Sequence, residues 1–128
     1  MSPDPLRPSD GELAILRVLW GRGPSTVRDV HTELSRDRET GYTTVLKLMQ
    51  IMAEKGLVTR DASAMTHVYQ AAVEEAPTQA LLVDDLIHRA FGGSARDLVV
   101  RALESRGASR EDMEEIQRLL DQARKARP

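Results

Sequence analysis

The segment of residues 42–56, YTTVLKLMQIMAEKG, carries an apolar pattern that constrains the rest of the fold. Its apolar side chains recur at spacings i, i+3, i+4 and i+7, which is the spacing of one side of an α-helix. These residues are Val45, Leu48, Met49 and Met52. Gly56 stands where a helix end favours a left-handed residue, and Lys55 in the last turn suits the negative end of the helix dipole. We therefore predict an amphipathic helix with one buried side.

The opposite side of this helix is polar and carries Thr43, Lys47, Gln50 and Glu54. Three of these four are uncharged or basic groups that can hydrogen-bond to base edges or phosphate oxygens. A surface helix whose polar side is only solvated has the same pattern, so this segment alone leaves both interpretations open.

Composition favours a helical protein. A chain of 128 residues suits one domain, or a small domain with an appendage, and 41% apolar residues allow a core. Aromatic residues make up only 3%, so Leu, Val, Met and Ala must supply the packing, which favours helices.

The sequence also excludes several functions. It contains no cysteine, which removes disulfides, thiolate metal sites and cysteine nucleophiles, and no apolar run is long enough to span a membrane. The first residues are acidic and proline-rich, unlike a signal peptide, so we expect a cytoplasmic protein without a membrane partner. The net charge of −2 argues against unselective coating of nucleic acid but allows a local basic surface.

The N-terminal half has the outline of a helix-turn-helix. Residues 1–8 are predicted to form a disordered arm, after which Ser9 and Glu12 have the spacing of a capping box. The first helix contains Trp20 as a core anchor and ends at the GRGP segment, and either Ser25 or Thr26 caps a second helix. The polar linker RDRETG then leads into the helix of residues 42–56, the second helix of the motif.

Two short strands after Gly56 complete a winged-helix domain over residues 9–73. Residues 57–60 and 67–70 are predicted strands, joined by a polar loop over residues 61–66. Such a wing would let Arg60 and His67 reach DNA phosphates, with Arg28 of the second helix also contacting the backbone. For Arg60 a solvated strand end is an equally weighted alternative.

Residues 74–128 are predicted to form three short helices separated by glycines. Three such helices seldom bury enough surface alone, so we expect a homodimer, although packing back onto the winged domain is the alternative. The predicted dimerisation residues are Leu86, Phe91, Leu98, Leu103, Met113, Ile116, Leu119 and Leu120. The predicted fold class is therefore mainly α with a small β wing: an N-terminal winged helix-turn-helix and a C-terminal three-helix dimerisation region.

An enzymatic or metal-binding function has little support. Asp84, Asp85 and His88 have spacings that could ligate a metal, but two carboxylates and one imidazole without a fourth ligand more often form a solvated surface. No nucleophile elbow, phosphate-binding loop or zinc-protease motif occurs, so we expect no enzyme, no cofactor and no metal.

Several segments together resemble the BlaI/MecI/CopY family of bacterial transcriptional repressors. They are GPSTVRDVHTEL, YTTVLKLMQIMAEKGLVTRD, HVYQA, LVDDLIHRAFGGSARDLVVRAL and SREDMEEIQRLLDQA, and the resemblance extends from Ser9 to about Ala123. It implies an N-terminal winged helix that binds operator DNA and a C-terminal region that dimerises. By match to the family's recognition helix, Thr43, Thr44 and Lys47 are expected to contact DNA, with Tyr42 at the helix start; we add Gln50 from the helical wheel.

The chain departs from the family at three points, and one of them is Leu46, which stands where some relatives carry a polar residue facing DNA. The copper-responsive branch has a cysteine-rich metal site, which a chain without cysteine cannot form. The antibiotic-responsive branch is inactivated by cleavage at an Asn-Phe bond, and Arg101-Ala102 stands at the matching position. A sensor or protease that relieves repression is a partner implied by the resemblance alone.

The sequence thus predicts a sequence-specific repressor that binds double-stranded operator DNA at an inverted repeat as a homodimer. The alternative is a protein-interaction module that uses the winged helix as a scaffold without binding DNA. The near-neutral charge keeps this alternative open.

Overall fold

The computed structural model describes residues 7–126. Over this range the chain is mainly helical with one small antiparallel sheet, as predicted. The elements are α1 (Asp10–Arg22), α2 (Val27–Leu34), α3 (Tyr42–Lys55), β1 (Val58–Asp61), β2 (Val68–Ala71), α4 (Glu75–Phe91), α5 (Ala95–Arg106) and α6 (Arg110–Ala126).

The chain divides into an N-terminal and a C-terminal compact unit between Val83 and Asp84, inside α4. The predicted boundary after residue 73 lies ten residues earlier. The first turns of α4 belong to the N-terminal unit, where Thr78 is buried and its hydroxyl donates to the Glu74 carbonyl at 2.7 Å. Most of the predicted arm, residues 1–6, lies outside the described residues, but Pro8 at its end is buried and not loosely attached.

The core of the N-terminal unit is built from α1, α2, α3 and the sheet. Its buried apolar residues are Ile15, Leu16, Leu19, Val27, Val30, Val45, Met49, Met52, Leu57, Val58 and Tyr69. The predicted buried side of α3 is confirmed at Val45, Met49 and Met52, whereas Leu48 is only partly buried. Leu48 lies so close to α1 that a Cβ at Gly11 would come within 3.1 Å of it. Trp20 is not a central anchor: it is half-buried, and its indole N–H donates to the Val73 carbonyl at 2.9 Å.

The two strands form a wing, shifted one residue from the predicted positions. β1 and β2 pair antiparallel, with Arg60 opposite Tyr69, and His67 lies just before β2. Leu57 and Val58 are both buried, so the side chains here do not alternate between a buried and an exposed side. Leu57 belongs to the end of α3, where its N–H donates to the Met52 carbonyl at 2.9 Å and Gly56 adopts the predicted left-handed conformation with φ 87°.

A backbone bridge joins this wing to the start of α2. Ser25 donates to the Tyr69 carbonyl at 2.9 Å and accepts from the Tyr69 N–H at 2.8 Å. Ser25 therefore does not cap α2. The cap is Thr26, whose hydroxyl accepts from the Asp29 N–H while the Asp29 carboxylate accepts from the Thr26 N–H, both at 3.1 Å.

An ion pair between the buried carboxylate of Glu12 and the exposed ammonium of Lys55 connects the start of α1 to the end of α3. The Glu12 side chain is 2% exposed and accepts from the Ser9 N–H at 2.8 Å, which completes the predicted capping box. Lys55 Nζ lies 2.9 and 3.1 Å from the two Glu12 carboxylate oxygens. Burial raises the pKa of Glu12, but the hydrogen bonds from Ser9 and Lys55 outweigh this effect and hold the pKa below its ordinary value of 4.5.

We expect Glu12→Gln to lower the free energy of unfolding by about 1–3 kcal/mol, because Lys55 and the Ser9 N–H lose a charged acceptor. Chemical denaturation at neutral pH measures this change. Glu33→Gln is the matched control, since it removes a carboxylate that pairs with Arg36 at the surface, and we expect a change below about 0.5 kcal/mol. Equal changes in the two variants would show that the pair of Glu12 with Lys55 contributes no more than a surface pair.

The lowered pKa of Glu12 also predicts an acid-dependent loss of stability. The folded state binds this proton more weakly than the unfolded state, so the contribution is complete above about pH 4.5 and is lost as the pH falls through the lowered pKa. As the pH falls below about 4.5, we expect the free energy of unfolding to decrease more steeply in the parent than in Glu12→Gln. Parallel curves would contradict this assignment.

Candidate nucleic-acid interface

The outer side of α3 is polar. Thr43, Lys47 and Gln50 are exposed on the side of the helix opposite Val45, Met49 and Met52, and Thr44 in the first turn is exposed as well. Because the buried side packs into the core, the direction of these outer side chains is fixed by the fold. Glu54, also exposed, places one negative charge near the end of this surface.

A groove of about 350 Å³ lies between α2, α3 and the wing, and we call it the wing groove. Five of the eight residues predicted to contact DNA line it: Arg28, Tyr42, Gln50, Arg60 and His67. Thr43, Thr44 and Lys47 do not line it and lie exposed on α3. The structure therefore brings together predicted residues from three separate elements, with α3 between them.

The cations around the wing groove have no acidic partner within the described residues. Arg28, Lys47 and Arg60 form no ion pair there, whereas Lys55 is paired with Glu12, and Arg22 lies 3.6 Å from Asp29. Their charges are therefore free to attract an anion, although the net charge of the chain is −2.

Two carboxylates near this surface, those of Asp29 and Asp61, form hydrogen bonds with residues close to them in the sequence. The pKa of Asp29 is lowered by its hydrogen bonds with Thr26 and by the charge of Arg22. The pKa of Asp61, at the end of β1, is lowered by hydrogen bonding with Ser63, whose N–H donates to the carboxylate at 2.9 Å. The first carboxylate fixes the start of α2, and the second fixes the turn of the wing.

His31 in the last turn of α2 is partly buried. Its Nε2 lies 2.7 Å from the Thr40 carbonyl oxygen in the linker to α3. Its ring contacts the ring of Tyr42 edge to face, with centroids 5.6 Å apart and planes at 77°. Tyr42 is 45% exposed and lies at the first position of α3.

Several residues that line the wing groove were not predicted from the sequence, above all Met65. This methionine is fully exposed in the wing loop, and Leu46, Thr26 and Thr66 also line the groove. A large apolar side chain inside the polar loop DASAMT was the signal that could have identified Met65.

The C-terminal unit has apolar stripes but no buried core of its own. In α5 and in the described part of α6 no residue is buried, although the hydroxyls of Ser94 and Ser109 cap the starts of these helices. Of the predicted dimerisation residues, Phe91, Leu98 and Ile116 are partly buried. The others are exposed: Leu86, Leu103, Met113, Leu119 and Leu120.

The residues considered as a metal site do not gather around a common point. Asp84 lies 3.9 Å from His88, while Asp85 pairs with Arg89 at 3.1 Å. Among residues 7–126 no group of three acidic, histidine or cysteine side chains could hold a metal ion. No helix in the described range is both long enough and apolar enough to cross a bilayer.

Comparison with known proteins gives a consistent result. The penicillinase repressor family model matches residues 8–122. The transcriptional regulator BlaI of Mycobacterium tuberculosis is 35% identical over 108 residues, covering 83% of this chain and 78% of that protein. The penicillinase repressor of Bacillus licheniformis is 22% identical over 114 residues, covering 89% of each chain.

A solved structure supports the fold assignment. The solution structure of the DNA-binding domain of the repressor BlaI matches with a TM-score of 0.50 and 24% identity, covering 59% of this chain and 90% of that domain. The winged-helix fold is thereby confirmed. The relatives are named as regulators and repressors, which supports the prediction that the chain is not an enzyme. With a family match over most of its length and a relative at 35% identity, the chain belongs to the penicillinase repressor family.

Proposed function

We propose that this protein is a transcriptional repressor that binds operator DNA sequence-specifically and acts as a homodimer on an inverted repeat. Family membership and the winged-helix fold support the DNA-binding repressor. The strongest support for the proposal is the wing groove, where cations that have no acidic partner among residues 7–126 flank the exposed polar side of α3.

In this proposal α3 enters the major groove and reads bases. Thr43, Lys47 and Gln50 contact base edges or adjacent phosphates, since threonine, lysine and glutamine side chains can hydrogen-bond to the base edges exposed there. Thr44, in the first turn of α3, contacts a phosphate or a thymine methyl group. Tyr42, at the start of the same helix, lies at the edge of this surface.

The groups beside α3 would position the protein on the DNA backbone. Arg28 comes from α2, and Arg60 and His67 come from the wing, so they flank the recognition helix. Contacts with phosphate fix register and orientation without reading sequence. This division of roles suits a chain with a small net charge, because selectivity then rests on a few placed contacts.

The proposed dimer would form through the C-terminal stripes. Leu119 and Leu120 are 51% and 54% exposed in the single chain, and α5 and the described part of α6 bury no residue. Exposed apolar stripes on three consecutive helices are typical of surfaces that a partner covers. A symmetric dimer would present two copies of α3 to half-sites about 34 Å apart, if one helical turn separates them.

Relief of repression by a sensor or protease stays a prediction from the family resemblance. The bond at the matching position joins Arg101 and Ala102, both exposed on α5. Nothing in the described geometry requires cleavage there.

We expect Lys47→Ala to weaken binding to operator DNA by about 1–3 kcal/mol if Lys47 reads a base, and to weaken binding to scrambled DNA less. Fluorescence anisotropy on DNA from upstream of the protein's own gene measures both affinities. Arg17→Ala is the matched control, because it removes one positive charge from an exposed position on α1 outside the wing groove. Unchanged operator affinity in Lys47→Ala would remove this residue from the interface.

We expect Leu119→Asp or Leu120→Asp to dissociate the dimer, because each places a charge in an apolar contact. Operator affinity should fall in parallel, since binding to both half-sites at once is lost. Analytical ultracentrifugation measures the association. Gln122→Asp adds the same charge at an exposed polar position of α6 and should leave the dimer intact. A Leu120→Asp protein that still sediments as a dimer would contradict the proposed surface.

A further inference from the structure

The start of α3 is held by fewer local contacts than the starts of α1 and α2. Both earlier helices begin with a complete capping box, whereas the N-cap of α3 is Gly41, which provides no side-chain hydrogen bond. The first turn of α3 also lacks an acidic residue that would interact with the helix dipole. All residues of the linker before it, 35–39, are exposed.

One side chain from α2 compensates for this missing cap. His31 Nε2 lies 2.7 Å from the Thr40 carbonyl oxygen, and because a carbonyl oxygen can only accept, Nε2 must carry the hydrogen. Among the described residues, His31 is the one residue outside 38–41 whose side chain hydrogen-bonds to this segment. The same ring packs edge to face against Tyr42, the first residue of α3.

We propose that His31 is a positioning residue for recognition: it fixes the first turn of α3 and the ring of Tyr42 beside the wing groove. This inference rests on the proposed function, because it assigns the contact a role in selecting DNA sequence. His31 itself does not line the groove, so it acts through Thr40 and Tyr42 rather than by touching DNA.

Three substitutions separate the two contacts of His31. His31→Gln keeps an N–H donor for the Thr40 carbonyl but lacks the aromatic ring. His31→Phe keeps a ring against Tyr42 but lacks the donor, and His31→Ala lacks both. Thr32→Ala is the matched control, since Thr32 is the exposed neighbour on α2 and forms no side-chain hydrogen bond within the described residues.

Amide hydrogen exchange of the free protein tests the positioning directly. The Val45 N–H donates to the Gly41 carbonyl at 3.2 Å and reports on the first turn of α3, while Met49 reports on its buried middle. We expect Val45 exchange to be roughly two- to tenfold faster in His31→Ala and His31→Phe, the effect of one neutral hydrogen bond, and close to the parent in His31→Gln and Thr32→Ala. Unchanged Val45 exchange, or equal acceleration at Met49, would overturn the positioning role.

Binding to DNA tests the consequence for recognition. In His31→Ala we expect the ratio of affinities for upstream and scrambled DNA to fall roughly two- to tenfold, with binding to scrambled DNA unchanged. A parent-like ratio in His31→Ala would overturn the role in recognition. If the parent itself binds both DNA fragments equally, the proposed function fails, and Val45 exchange alone then decides whether His31 fixes the start of α3.

Discussion

The buried carboxylate of Glu12 is the constraint on which the N-terminal unit depends. A charge that is 2% exposed is stable only with partners, and the Ser9 N–H and the Lys55 ammonium provide them. The same side chain therefore defines where α1 begins and where the end of α3 must lie. With Val45, Met49 and Met52 packed in the core, α3 cannot rotate without breaking this pair or exposing apolar surface.

Because α3 cannot rotate, its polar side always faces away from the core. The bridge between Ser25 and Tyr69 holds the wing against the start of α2, so cations from α2 and the wing flank α3. The net charge of −2 would not suggest a DNA-binding protein, yet Arg28, Lys47 and Arg60 form no ion pair within the part of the chain that the structure describes. Local placement of charge, rather than its sum, supports the proposed function.

Local sequence signals predicted most of this architecture. The capping box of Ser9 and Glu12, the helix end at Gly56 and most of the buried side of α3 follow from residue spacing and are present. Contacts between distant residues were missed, such as the pair of Glu12 with Lys55, because spacing along one helix carries no information about a second helix. The wing was placed one residue early because Leu57 completes the end of α3 instead of starting a strand. Periodicity also located the apolar stripes of α4–α6, but it does not identify what covers them.

The most direct test of sequence-specific DNA binding is fluorescence anisotropy with the unmodified protein. Its affinity for DNA from upstream of its own gene is compared with its affinity for a scrambled fragment over a series of salt concentrations. A sequence-specific repressor should bind the upstream fragment at least about a thousandfold more tightly than the scrambled fragment, and its affinity should fall steeply as the salt concentration rises. Equal and weak binding to both fragments would contradict a repressor that reads its own promoter and would favour a protein-interaction module built on the same winged helix.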